Sequence, residues 1–273
     1  MAENIITYQQ QNDLSYYPQG FPGSGDLSYR AERCKLDIYY PVNSEKKFPT
    51  LIWFHGGGMV GGAKGFNAHI SILRERGLAV VMPNYRLASG PARCPDYLED
   101  AAAAVAWVFQ NIAQYGGDAN SIYLSGGSAG GYLAAMLGLD RRWLARHDLD
   151  ARNLAGIMPV SGQMATHFQI INERRNTPGG GAYHPLLIDE FAPLFHLSPD
   201  AAPIRLYVGD SDLDWPARAE ENRLLASSLT RLAGHPDTRC YVLPGYGHGD
   251  VYVPALVLLL KHLWEIESRK KTP

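Results

Sequence analysis

Cysteine is scarce in this chain. Three residues, Cys34, Cys94 and Cys240, lie far apart, with no CxxC pair and no His-rich cluster. That excludes a disulfide framework and a thiolate metal centre, and fits reduced thiols in a cytoplasmic compartment. Charge of one sign is also lacking. Lys plus Arg number 25, Asp plus Glu 27, and the net charge is -2. The one basic run, Arg269-Lys270-Lys271, reads as a solvated end, so a nucleic-acid partner is not expected. No long hydrophobic run occurs. The longest, VYVPALVLLL at 251–260, is shorter than the roughly 20 residues needed to cross a bilayer, and no membrane partner is expected. The first twenty residues have neither the basic start nor the apolar core of a signal peptide, so a cytoplasmic location is the expectation. Internal repeats and low-complexity linkers are absent as well.

What the chain does have is alternation. The stretches 34–40, 50–56, 78–85, 121–127, 156–162, 203–209 and 239–245 are short and β-rich. Helical patterns separate them at 67–77, 96–117, 129–138, 216–233 and 253–267. The central β-rich runs are continuously apolar, which predicts strands buried on both faces, hence a mostly parallel sheet with helices on each side. A single α/β domain over 1–273 is the economical reading. Residues 1–33 are polar and show no clear period. Residues 163–200 interrupt the rhythm and read as an irregular, lid-like insertion.

The segment YLSGGSAGGYLAAML, residues 123–137, sets Ser128 in a G-x-S-x-G frame between a strand and a helix. Gly126 and Gly130 fill the two small positions that a strand-to-helix elbow requires, because neighbouring backbone comes close. The following helix aims its first N–H groups at the serine, which favours developing negative charge. Upstream, after another strand, stands His55-Gly56-Gly57-Gly58, where a loop donating backbone N–H groups to an oxyanion is expected. Gly56, Gly58 and Gly61 also fit a G-x-G-x-x-G dinucleotide fingerprint. Against it, no apolar-faced helix opens directly after the glycines, and the next strand ends in Asn84 rather than an acid. Ala63 likewise occupies the lysine position of a phosphate loop.

A nucleophilic serine needs an acid and then a histidine later in the chain. The segment LYVGDSDLDWP offers Asp210, Asp212 and Asp214, and LPGYGHGD offers His248 between Gly247 and Gly249. Among nine histidines, His248 alone combines the order with a small-residue setting. Asp212 is the favoured acid, since Asp210 suits a turn and Asp214 suits a helix cap.

These pieces resemble the α/β-hydrolase superfamily, most closely the esterase/lipase branch with an HGGG oxyanion loop, in which hormone-sensitive-lipase-like, acetyl-esterase-like and feruloyl-esterase-like enzymes fall. The resemblance rests on HGGG at 55–58, NYRLA at 84–88, YGGDANSIYLSGGSAGG at 115–131, Asp212 and GHG at 247–249, and covers roughly residues 34 to 265. It implies an α/β-hydrolase fold and a triad of Ser128, Asp212 and His248. It also implies oxyanion donors at Gly57, Gly58 and Ala129. Gly127 stands where hormone-sensitive-lipase-like members carry aspartate, and the N-terminal segment is shorter than their cap. Both departures suggest a compact esterase of the acetyl or feruloyl kind.

The expected activity is hydrolysis of a short-acyl or small aromatic carboxylic ester through an acyl-enzyme, with no metal and no cofactor. Met59, Tyr85, Phe168, Tyr183, Trp215 and Tyr246 are candidates to line the substrate site. An amide or formamide hydrolase with the same triad is the alternative within chemistry, and a non-catalytic binding protein on a hydrolase scaffold the alternative outside it. The expected partner is a small-molecule ester. A homodimer is compatible with the sequence.

Overall fold

The computed structural model describes residues 6–18, 20–22, 25–177 and 184–270. Eight strands form one sheet in the order β1-β2-β4-β3-β5-β6-β7-β8. They are β1 (Thr7–Ser15), β2 (Lys35–Val42), β3 (Phe48–Phe54), β4 (Ala79–Pro83), β5 (Gly117–Gly127), β6 (Gly156–Val160), β7 (Ile204–Val208) and β8 (Thr238–Val242). β2 runs antiparallel to both β1 and β4, and all pairings from β4 to β8 are parallel. The helices are α1 (Leu27–Arg33), α2 (Asp96–Asn111), α3 (Ala129–Leu139), α4 (Arg142–Ala145), α5 (Phe168–Arg175), α6 (Arg218–Arg231) and α7 (Tyr252–Lys270).

The expected doubly covered, mostly parallel sheet is present. β3, β4 and β6 are buried along their whole length, so their side chains need apolar partners on both faces. One core gathers residues of α2, α3 and α6 against one face of the sheet. A second gathers α7 and the short 3-10 turn Ile70–Leu73 against the other. That turn is all that forms in the stretch read as a helix at 67–77.

Residues 1–33 depart from expectation. They contribute a nine-residue edge strand, β1, and the helix α1. β1 reads TYQQQNDLS and is exposed at seven of its nine positions. An edge strand with little buried area carries no apolar alternation, which is why its composition looked aperiodic. The insertion at 163–200 contains α5 and a 3-10 turn, Pro193–Phe195.

Sheet order also decides where chemistry collects. β3 lies between β4 and β5, so the chain leaves β3 toward one side and β5 toward the other. A crevice opens at such a switch point, beyond the carboxyl ends of the strands. The His55–Gly58 loop follows β3, and Ser128 follows β5.

Candidate active site

Ser128 sits at φ 54, ψ -116, between the last residue of β5 and the first of α3. A positive φ on a non-glycine residue stores strain of about 1–3 kcal/mol, which the surroundings must hold in place. They do so by close packing. A Cβ on Gly126 would lie 2.5 Å from the Gly130 carbonyl carbon, and one on Gly130 would lie 2.0 Å from the Phe54 carbonyl oxygen. Both glycines are therefore required by backbone contact. The Ser128 N–H donates to the Val160 carbonyl at 2.8 Å, which ties the elbow to β6. Ser128 stays half-buried while its neighbours are enclosed.

His248 reaches the serine. Its Nε2 lies 2.9 Å from Ser128 Oγ, and its Nδ1 lies 2.6 Å from Asp214 Oδ1. With Nδ1–H donating to the carboxylate, Nε2 is free to accept the serine proton. The acid in contact is Asp214, which corrects the expectation of Asp212. Asp212 is exposed, and its backbone N–H donates to Asp210 Oδ1 at 3.1 Å. The reason is local. The Asp214 N–H donates to the Asp210 carbonyl at 2.8 Å, so residues 210–214 close a helical turn and its fourth step is carried back under the end of β7. Asp210 serves the turn, accepting also from the Gly245 N–H.

Asp214 has several donors besides His248. Ser161 Oγ donates to its Oδ2 at 2.6 Å, the Gly209 N–H to the same oxygen at 2.9 Å, and the Trp215 N–H to Oδ1 at 2.7 Å. Burial would raise its carboxyl pKa, but the hydrogen bonds from His248, Ser161 and Trp215 outweigh burial and hold it below the usual carboxylate value. Ser161 Oγ also lies 3.0 Å from His248 Nδ1. Sequence reasoning passed over Ser161. The available signal was a small polar residue directly after β6, the strand beside β5. Helix α6 braces the Ser161 loop: Arg218 Nη1 donates to the Ser161 carbonyl, Asn222 Nδ2 to the Gly162 carbonyl, and Glu221 Oε2 accepts from the Met164 and Ala165 N–H groups.

The glycine loop after β3 is held open by φ values of +108 at Gly57 and +62 at Gly58. Its anchor is His55. The His55 ring stacks on Tyr85 at 4.3 Å, and its Nδ1 donates to the Gly56 carbonyl at 2.7 Å. Burial pushes the imidazole pKa down to about 4, so it is a neutral structural ring. Tyr85 Oη donates to the His55 carbonyl at 2.9 Å, and Asn84 Oδ1 accepts from the Lys64 N–H at 2.6 Å. Arg86 forms a buried ion pair with Asp100 at 2.8 Å. The Asn84–Arg86 stretch thus supports the loop from beneath.

The substrate-lining candidates divide. Tyr85 and Met59 are fully buried. Tyr85 packs under the loop, and Met59 belongs to the core beside it, so neither faces a substrate; Met59 is carried inward by the return of the chain after Gly58, and Tyr85 by its stacking on His55. Phe168 and Trp215 do meet at the site. Their rings lie parallel with centroids 6.0 Å apart, and Trp215 stands edge-on to His248 at 5.9 Å. A Cβ on Gly58 would come within 3.0 Å of Phe168 Cζ. These two rings therefore span from the glycine loop to the histidine. Tyr246 is exposed on the turn before His248, and Tyr183 lies outside the described residues.

Gly127 has its own reason. A Cβ there would lie 2.0 Å from Tyr252 Cε1. The Tyr252 ring fills the space that a side chain at residue 127 would need. Burial, followed by the charge of Asp214, raises the Tyr252 phenol to about 12, so it is a neutral hydroxyl.

No group of three or more His, Cys, Asp or Glu side chains among the described residues is placed to hold a metal ion. No helix among them is long and apolar enough to cross a membrane. A cavity of about 720 Å³ lies far from the serine, lined by Asn120, Arg152, Pro203 and Lys270. Another, of about 240 Å³, borders Gly56, Gly249 and Tyr252.

Comparisons with known proteins agree with this architecture. A truncated carbohydrate esterase from gut microbiota superposes with a TM-score of 0.75 at 19% identity, covering 98% of this chain and 99% of that one. Thermogutta terrifontis esterase 2 superposes at 0.68 with 22% identity, covering 93% and 95%. At this identity they establish the α/β-hydrolase fold. Among curated sequences, esterase LipC of Mycobacterium tuberculosis is 29% identical over 75% of this chain and 53% of its own length. A probable isoprenylcysteine alpha-carbonyl methylesterase of Arabidopsis thaliana is 36% identical over 81% of this chain and 49% of its own. The chain spans about half the length of these two relatives. The BD-FAE family model matches residues 36–222; with that match over most of an α/β-hydrolase sheet, the chain belongs to the BD-FAE family.

Proposed function

We propose that the protein is a serine carboxylesterase that hydrolyses short-acyl or small aromatic esters through an acyl-enzyme, with Ser128, His248 and Asp214 as the triad. The observation that carries this reading is the continuous hydrogen-bonded chain from Ser128 Oγ through His248 to Asp214, at 2.9 and 2.6 Å. It supplies a nucleophile, a base within reach and an orienter for that base. The relatives named as esterases support the ester class.

In acylation, Ser128 Oγ attacks the ester carbonyl carbon as its proton passes to His248 Nε2. Asp214 keeps the proton on Nδ1 and stabilises the imidazolium. The carbonyl oxygen becomes an oxyanion within reach of the Gly57, Gly58 and Ala129 N–H groups, each such donor being worth about 3–4 kcal/mol of barrier. Collapse breaks the bond to the alcohol oxygen, which takes the proton from Nε2. Water then repeats the sequence and frees the acid.

The Phe168–Trp215 wall limits the acyl group. On p-nitrophenyl esters, kcat/KM is expected to peak at acetyl to butyryl and fall at octanoyl. Phe168→Ala should raise octanoyl turnover roughly tenfold, the worth of about two newly buried methylenes at ~0.8 kcal/mol each. A wild-type optimum at octanoyl would sink the short-acyl reading.

Ser161 acts in this reading as a positioning residue. Ser161→Ala should lower kcat about tenfold, in line with one hydrogen bond to a charged group, with little change in KM. In an Asp214→Asn background the same substitution should cost little further, because the hydroxyl works through that carboxylate. Additive losses in the double variant would show that Ser161 only supports the fold.

A further inference from the structure

The nucleophile has two unlike sides. Phe168 and Trp215 form an apolar wall on one. On the other is the cavity of about 240 Å³, bordered by Trp53, Gly56, His69, Gly249 and Tyr252. A Cβ on Gly56 would lie 3.4 Å from Ser128 Cβ and 3.6 Å from Tyr252 Oη. Gly249 directly follows His248, and the Tyr252 ring stands 6.4 Å from the His248 ring. The cavity is therefore lined by Gly56, which packs close to Ser128, and by Gly249, the residue after His248.

Three of its polar groups are unused. Trp53 lines this space, and its indole N–H makes no hydrogen bond with a described residue. The Tyr252 hydroxyl and the His69 ring also have no side-chain hydrogen-bond partner among the described residues, and the two rings lie 5.5 Å apart by centroids. The other polar groups at the rim are occupied. Lys64 is paired with Asp37 at 2.5 Å and with Asp13 at 3.0 Å. Asn67 Oδ1 accepts from the His69 and Ile70 N–H groups. What remains is an aromatic frame with two O–H or N–H donors and an imidazole, on residues that line a space one residue from His248.

We propose that this cavity is the leaving-group subsite, and that it takes a small alcohol carrying a second oxygen, as hydroxyl, ether or carbonyl, within a few bonds of the ester oxygen. Trp53 Nε1–H and Tyr252 Oη–H donate to that second oxygen. The volume lies below the ~300–1,000 Å³ of common ligand pockets, which restricts the group to a compact one. This assignment rests on the ester-hydrolase reading.

Partitioning of the acyl-enzyme tests it. The enzyme is acylated with p-nitrophenyl acetate, and glycerol or 1-propanol is added. The alcohol oxygen attacks the acyl carbon while its proton passes to His248 Nε2. The bond to Ser128 Oγ breaks, and Oγ takes that proton, so the new ester and the free serine balance the step. The ratio of new ester to acetate compares each alcohol with water as an internal reference. In the wild type, glycerol should divert acyl-enzyme about tenfold better than 1-propanol at equal concentration, as one or two added hydrogen bonds would give. Tyr252→Phe and Trp53→Phe should each bring glycerol toward the value of 1-propanol. Tyr252 is half-buried at the rim, so its variant remains informative if the Trp53 variant does not fold. Equal partitioning in the wild type, or a glycerol preference that survives Tyr252→Phe, overturns the assignment while leaving the esterase standing. Absence of any p-nitrophenol release overturns the esterase reading, and this subsite with it.

Discussion

Ser128→Ala is expected to lower kcat on p-nitrophenyl acetate by a factor on the order of 10³–10⁶, and to abolish labelling by a fluorophosphonate. Removing the nucleophile of a triad leaves only what the oxyanion donors and substrate binding contribute. Alanine removes a single oxygen from a half-buried side chain and keeps the Cβ, so the fold should persist. Circular dichroism and thermal melting close to the wild type would confirm that activity, and not folding, was lost. Full ester hydrolysis by Ser128→Ala would end the proposed mechanism.

The acid carries the second large effect. Asp214→Asn should lower kcat by about 10⁴, the scale expected when the base loses the partner that sets its tautomer. The amide can no longer accept the Nδ1 proton with a full charge, so the proton is no longer held on Nδ1 and Nε2 is no longer kept free for the serine. Asp212→Asn, two residues away and exposed, should stay within about twofold of the wild type, as for an ordinary surface substitution. Kinetics of the two variants side by side decide the matter. A large loss in Asp212→Asn with a small one in Asp214→Asn would reverse the acid assignment.

The contrast between these two aspartates shows where sequence reading stops. Ser128 and His248 were legible because each sits in a setting that little else explains: a glycine-flanked serine between strand and helix, and a histidine between glycines after the last strand. The acid was one of three aspartates in five residues. Which of them faces inward depends on whether the turn after β7 is extended or helical, and the hydrogen bond from the Asp214 N–H to the Asp210 carbonyl selects the helical case. Met59 and Tyr85 were misread for a similar reason. Their neighbourhood to the glycine loop was visible, but the direction in which the chain turns after it was not.

Composition and periodicity by themselves determined that this chain builds a mostly parallel sheet covered by helices, and that a serine elbow, a glycine loop and a late histidine lie at the carboxyl ends of its strands. Buried strands must be apolar throughout, and elbows must be small, so both requirements are written in residue types. The tertiary structure alone decided which acid meets His248, that Ser161 supports it, that Tyr252 fills the place above Gly127, and that Trp53 and Tyr252 line one cavity. Those facts depend on residues more than thirty positions apart meeting through side chains, and local sequence holds no record of such distances.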